Sequence, residues 1–107
     1  MADIPERDWK LLRELKSVAL ERLCARILKS AAGIAAAPGS TQHERYLKLY
    51  DMILKQNDEV AIAFDDHRRS TALSKIAQIQ SRGLFTEEEF ARFTEETRRH
   101  VLAMIAE

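Results

Sequence analysis

Apolar residues recur every three or four positions through most of this chain, the spacing of a helix face, and nowhere alternate as a strand would. The first series runs Leu11, Leu12, Leu15, Val18, Ala19, Leu23, Ile27 and Leu28, one broad stripe. Arg7, Lys10, Arg13, Glu14, Glu21, Arg22 and Arg26 mostly fall on the other side. Asp3 and Glu6 have capping-box spacing, and Pro5 is tolerated in a first turn that needs no backbone donor. Gly33 is the expected stop, with Ile34 folding back onto Leu28, although the alanines that follow allow the helix to reach Ala36. Pro38-Gly39 is the firm breaker.

The stretch from Thr41 to Arg82 contains neither glycine nor proline. Thr41 and Glu44 form a capping box at its head. Tyr46, Tyr50, Ile53, Val60 and Phe64 step along one face, which Leu47, Leu49, Met52 and Leu54 widen. As one helix it spans roughly 60 Å, beyond the ~30 Å width of a small domain. The stripe weakens at Gln56-Asn57-Asp58, where Asn57 offers a new cap, and changes phase through Ser70-Thr71 to Leu73, Ile76 and Ala77. That phase change is larger than helical drift, so a kink or change of packing partner is expected near 65–71.

Gly83 closes this stretch in a Schellman stop, with Leu84 expected to pack on Ile79. Thr86 and Glu89 form another capping box, and Phe85 and Phe90 match a hydrophobic staple. The last helix then carries Phe90, Phe93, Thr97, Val101, Met104 and Ile105 on one face. Glu87, Glu88 and Glu89 at its start and Arg98, Arg99 and His100 nearer its end complement the helix dipole. The pattern predicts an all-α chain, an up-down bundle of three long helices. A fourth arises if the central helix breaks near Asn57 or Ser70.

Composition narrows the class of protein. At 107 residues the chain is expected to be a single domain over 1–107, with 46% hydrophobic residues and few prolines or glycines. Seventeen basic and seventeen acidic residues cancel, and no segment is strongly polarised, so the electrostatic footprint of a nucleic-acid binder is missing. The single cysteine, Cys24, excludes an intrachain disulfide framework and fits a reducing cytoplasm. No apolar run approaches the ~20 residues of a membrane span, and the charged start lacks a secretory apolar region. Cytoplasmic is the expected location.

The densest ionisable cluster is Asp65-Asp66-His67-Arg68-Arg69. On a continuous helix Asp65 pairs with Arg68 or Arg69, and Asp66 with Arg69, as surface ion pairs or bridges to a second subunit. Metal binding would need Asp58, Glu59, Asp65, Asp66 and His67 to converge, and no His-x-x-x-His or Glu-x-x-His pair accompanies them. Asn57 and His67 lie on the Tyr46–Phe64 seam, where polar residues fix register, and a histidine adds pH sensitivity. Cys24, beside Leu20, Ile27 and Leu28, reads as a small buried residue rather than a nucleophile. Trp9, Tyr46 and Tyr50 are candidate interface anchors, with core packing their commoner use. Arg68-Arg69 and Arg98-Arg99-His100 would together make a basic surface, but acids flank each. There is no phosphate-cradling glycine loop, metal quartet or nucleophile elbow.

From Ala72 to Ile105, about a third of the chain, the helix, the Gly83-Leu84-Phe85-Thr86-Glu87-Glu88-Glu89-Phe90 turn and the following helix resemble the short C-terminal SHOCT module of bacterial proteins. The lysines usual after the phenylalanine are replaced by Ala91-Arg92-Phe93. The resemblance implies an interaction or oligomerisation role and carries over no catalytic residue.

These readings predict a protein-interaction or oligomerisation module, homodimeric, with no catalytic activity, cofactor or metal. Its interface would use Tyr46, Tyr50, Ile53, Asn57, Val60, Phe64 and His67. An unidentified protein partner is the other occupant, and nucleic acid is not the expected one. The rival readings are a nucleic-acid-associated regulator and a small metal-dependent enzyme built on the Asp58–His67 carboxylates.

Overall fold

Local signals and the packing of one core account for every helix boundary in the computed structural model, which describes residues 4–107. Five α-helices appear, and no strand occurs among the described residues. They are α1 (Glu6–Ala35), α2 (Gln42–Phe64), α3 (Ala72–Ser81), α4 (Glu87–Ala91) and α5 (Glu95–Ala106), with a 3₁₀ turn at Arg69–Thr71 before α3.

Helix α1 starts after Pro5, whose carbonyl accepts from the amides of Asp8 and Trp9. The expected Asp3 cap lies outside the described residues. Leu11, Leu12, Leu15, Ala19 and Leu23 of the α1 stripe are buried as its spacing predicts, whereas Val18 and Leu28 are exposed and Ile27 is half-buried. Gly33 is not the stop. The helix runs through it to Ala35, because the flanking alanines favour helix and only Gly39 and Gly83 among the glycines take positive φ. The connector is then pinned by Arg45, whose Nη1 donates to the carbonyls of Ala37 and Ser40.

Thr41 opens α2 with the predicted reciprocal box: its Oγ1 accepts from the Glu44 amide (3.0 Å) and Glu44 Oε1 accepts from the Thr41 amide (2.8 Å). Asn57 does not break the helix; it is exposed, and α2 continues to Phe64. The break comes at 65–71, on the side of Ser70. Asp66 sits at φ 58°, a left-handed conformation disfavoured for non-glycine residues. The bend around it is tied by Thr71 Oγ1 donating to the Asp66 carbonyl (2.6 Å) and the Arg68 amide donating to Thr71 Oγ1 (3.0 Å). Packing explains the break. On a straight helix, at about 100° per residue, Leu73, Ile76 and Ala77 would point away from the face that carries Ala63 and Phe64. The bend lets both sets enter one core, and all five are buried.

Helix α3 ends as predicted. The Gly83 amide donates to the Gln80 carbonyl (2.9 Å) and the Leu84 amide to the Ile79 carbonyl (3.2 Å), with Gly83 at φ 66° and both Leu84 and Ile79 fully buried. A Cβ at Gly83 would meet nothing nearer than Arg26 Nη2 at 3.7 Å, so only the backbone resists substitution. Gly83→Ala is therefore expected to cost about 1 kcal/mol in denaturant unfolding, with the fold retained. An unchanged midpoint would contradict the left-handed stop.

The final stretch, expected as one helix from Thr86, comes as two. Thr86 and Glu89 do form their box, but α4 stops at Ala91 and Thr94 caps α5. The interruption lets Phe93 enter the core between Phe85 (ring centroids 5.6 Å apart) and Phe90 (6.2 Å). The staple thus closes through a third ring. The chain is elongated, 52 × 25 × 24 Å, because its core draws on residues up to Leu23 and from Ala63 onward.

Candidate functional site

None of the residues from Cys24 to Ile62 is buried. The second half of α1 and most of α2 therefore stand out from the core as a two-helix arm. Between its helices Ile27, Ala31 and Ile34 of α1 and Leu49 and Met52 of α2 are half-buried. Another face of α2 is largely uncovered among the described residues. Tyr46 is 62% exposed and Tyr50 54%, and Leu47, Ile53 and Leu54 are exposed beside them. Leu28 adds a further apolar side chain from α1, at 69%. Scattered exposed leucines are ordinary, but five large apolar residues on one helix face are not.

The predicted seam therefore divides. Tyr46, Tyr50, Ile53 and Asn57 face solvent, while Val60 packs against the core and Phe64 lies inside it. His67 lies past the end of α2 rather than on it, stacked on Phe64 with ring centroids 6.1 Å apart. The lower half of the seam is occupied by the chain's own core, because the bend folds α3 back against it.

The charged cluster does not form helical ion pairs, since its residues leave the helix. Asp65 is the exposed C-cap of α2. Asp66 is gripped by both arms of Arg68 (2.7 and 2.9 Å), which holds its carboxyl below the usual range. Arg69 reaches instead to the chain's start, pairing with Glu6 (2.6 Å) and donating to the Ile4 carbonyl (3.1 Å). Two side chains cap the last turn of α2: the Lys75 ammonium donates from Nζ to the Ile62 carbonyl (2.7 Å) and the His67 imidazole from Nε2 to that of Ala63 (2.8 Å).

The carboxylates of the metal reading do not converge. Asp58 is exposed, Glu59 pairs with Arg82 (2.9 Å), and Asp66 is taken by Arg68. Among the described residues no group of three or more His, Cys, Asp or Glu side chains is placed to hold a metal ion. The basic residues of the nucleic-acid reading are partly engaged within the chain: Arg68 and Arg69 are paired as above, Arg98 donates to the carbonyls of Ala91 (2.7 Å) and Phe93 (2.9 Å), and Arg99 and His100 are exposed. Cys24 is half-buried, and Trp9 packs against the core under the Arg13 guanidinium, 6.0 Å from its ring.

Two constellations escaped the sequence reading. Arg22 and Arg26, assigned to the solvent side of α1, clamp the turn after α3. Arg22 binds Glu89 through two bonds (2.6 and 3.0 Å) and donates to the Leu84 carbonyl (2.7 Å). Arg26 donates to the carbonyls of Arg82 (2.6 Å) and Gly83 (2.9 Å). The Arg22 guanidinium, helped by the Thr86 amide, lowers the Glu89 carboxyl to about 2. The signal available was their four-residue spacing on the flank of the apolar stripe. The second is Asp8, fully buried, which accepts from the Thr94 amide (2.9 Å), Thr94 Oγ1 (2.6 Å) and Thr97 Oγ1 (2.5 Å). Thr94-Glu-Glu-Thr97 inside an apparent helix was the readable hint, a start signal where no start was expected.

What fold and surface define together, among the described residues, is an all-α chain of five helices whose α2 presents a largely uncovered apolar face. No helix among the described residues is long and apolar enough to cross a membrane. Comparison with family models, curated proteins and solved structures finds no match, so the likeness of Ala72–Ile105 to the SHOCT module gains no support.

Proposed function

We propose that this chain is a homodimeric protein-interaction module without catalytic activity, whose α1–α2 arm packs against the arm of a second copy. The observation that carries this reading is the arm itself, a stretch without one buried residue that displays Tyr46, Leu47, Tyr50, Ile53 and Leu54 on a single face. Two antiparallel helices supply half of a four-helix bundle, and a second identical pair completes it by a self-complementary contact. In that assembly the three long segments (α1, α2 and the α3–α5 run) serve as an up-down bundle closed by the other copy. The arm's charges nearly balance, with Arg26, Lys29, Arg45, Lys48 and Lys55 against Glu44, Asp51, Asp58 and Glu59, so self-association meets no large repulsion. The lone half-buried Cys24 suits a reducing compartment, and the cytoplasm is the proposed site of action.

Magnitudes place the strength of this contact. Covering five half-exposed side chains contributes about 1 kcal/mol each, about 10 kcal/mol over both copies. Association costs about 4–15 kcal/mol in lost freedom, so at most about 6 kcal/mol remains, a dimer with a Kd of tens of micromolar or weaker. Sedimentation equilibrium should show a mass that rises toward twice that of the chain as the concentration approaches about a millimolar. Tyr50→Glu and Ile53→Glu should each give a monomer with unchanged helical content, since both side chains face solvent in the chain described here. A wild-type protein that stays monomeric across that range sinks the homodimer, leaving a foreign helix as the arm's occupant.

A further inference from the structure

We propose that His67 is an acid-sensitive latch on the bend between α2 and α3: the neutral imidazole holds the bend closed, and a proton added at Nδ1 opens it. Geometry fixes which nitrogen carries the proton at neutral pH. The Ala63 carbonyl can only accept, so Nε2, 2.8 Å away, is the donor and Nδ1 is a bare lone pair. That Nδ1 is buried and has no hydrogen-bond partner. A second proton would therefore create a buried N–H with nothing to receive it, a state the closed bend disfavours.

The surroundings act in the same direction. The charged groups facing the ring are Lys16 from α1, Lys75 from α3, and Asp65 and Asp66 in the bend itself. The last turn of α2, Ala61–Phe64, offers no charged side chain. Of the two carboxylates, Asp66 is already held by Arg68, and Asp65 is exposed. An imidazolium would thus sit between two ammonium groups with one solvated carboxylate to oppose them. Burial, ahead of both lysines, lowers the His67 pKa from its ordinary 6.5, against the pull of the Ala63 carbonyl.

Opening has a structural route. The bend already holds Asp66 at a disfavoured positive φ, so it persists only while its hydrogen bonds are complete. Those bonds are local: the His67–Ala63 contact, the Thr71 hydroxyl on the Asp66 carbonyl, and the Arg68 amide on Thr71. Driving the imidazole out of its site removes one of the bonds that join the bend to α2, leaving the Asp65 amide on the Ala61 carbonyl and Lys75 on that of Ile62. The helices on either side need not melt.

The linkage has a definite sign. The folded chain prefers the neutral ring, so the latch is complete above about pH 6.5 and weakens as pH falls below it. The test is amide hydrogen exchange at Asp65, Arg68 and Thr71, corrected for intrinsic rates, at about pH 7.5 and about pH 5.5, either side of the ordinary histidine value. The wild-type protein should exchange several-fold faster at these amides at the lower pH, while Gly83 and Leu84 stay protected. His67→Gln retains a donor for the Ala63 carbonyl but cannot titrate, and should show no pH dependence there. Equal wild-type protection at both values, or acid opening that persists in H67Q, overturns the latch. If H67Q fails to fold, the ring's own titration in the wild-type chain decides: a midpoint at or above 6.5 refutes the proposal, and one below it supports it.

Discussion

Asp8→Ala is expected to destabilise the chain by about 3–5 kcal/mol, the loss typical of a broken buried polar network. Asp8 is fully buried, and its two oxygens take the Thr94 amide and the hydroxyls of Thr94 and Thr97. Removal leaves those donors facing a cavity at the junction of α1 and α5. It also removes an acidic group from the first turn of α1 and from the capped start of α5, where the helix dipoles favour it. Thermal unfolding should report a fall of about 15–30 °C for a domain of this size. Asp8→Asn, which keeps one acceptor but turns an NH₂ toward the threonines, should lose roughly half as much. A drop below about 1 kcal/mol for Asp8→Ala would mean that water fills the gap and that Asp8 is not the pin between α1 and α5.

Arg22→Ala is the second large effect, and it carries a pH signature. The Arg22–Glu89 pair and the Leu84 carbonyl bond tie the middle of α1 to the turn that launches α4. Glu89 falls from 4.5 to about 2 in the folded chain, chiefly through Arg22. A carboxyl lowered in this way stabilises the fold fully above about pH 4.5, and that contribution is lost as pH falls toward 2. At about 1.4 kcal/mol per pH unit the ceiling is about 3 kcal/mol; solvent reaching the partly exposed pair reduces it to about 2. Denaturant unfolding at neutral pH should show Arg22→Ala less stable by about that amount, and its stability should decline less steeply between pH 4.5 and 2 than the wild type's. Parallel declines would place the acid sensitivity on other carboxyls. Neither the His67 latch, which weakens as pH falls below the ordinary histidine value, nor the arm substitutions should alter this acid limb.

Helix ends written in neighbouring residues were legible. Thr41 with Glu44, Thr86 with Glu89, and Gly83 with Leu84 behave as their spacing requires, because every bond in those motifs joins residues within five positions of one another. The bend near 65–71 was legible for a related reason. A stripe that changes phase without a glycine or proline leaves the chain a break as its one way to bury both halves. Tyr46, Tyr50 and Ile53, named from the sequence as interface candidates, meet solvent in the single chain.

Other features were decided by residues far apart in the chain. At Gly33 two local signals conflicted, a glycine stop against flanking alanines, and the alanines carry the helix on to Ala35. The split at Arg92–Thr94 depends on Phe93 finding Phe85 and on Thr94 finding Asp8, 86 positions away. Arg22, Arg26 and Arg69 carry solvated charge in sequence and become clamps only where a distant carbonyl or carboxylate arrives.

By itself, then, the sequence determined that this protein is predominantly helical, where α2 and α4 begin and α3 ends, and that its central stretch must bend. Those properties follow from hydrogen bonds and side-chain spacings within a turn or two. Only the tertiary structure decided which half of the α2 face is consumed by the core and which is left bare, because that depends on α3 folding back over Val60 and Phe64 but not over Tyr46, Tyr50 and Ile53. Burial is a property of the assembled surface rather than of any window of residues, and the arm proposed to join two copies is defined by burial alone.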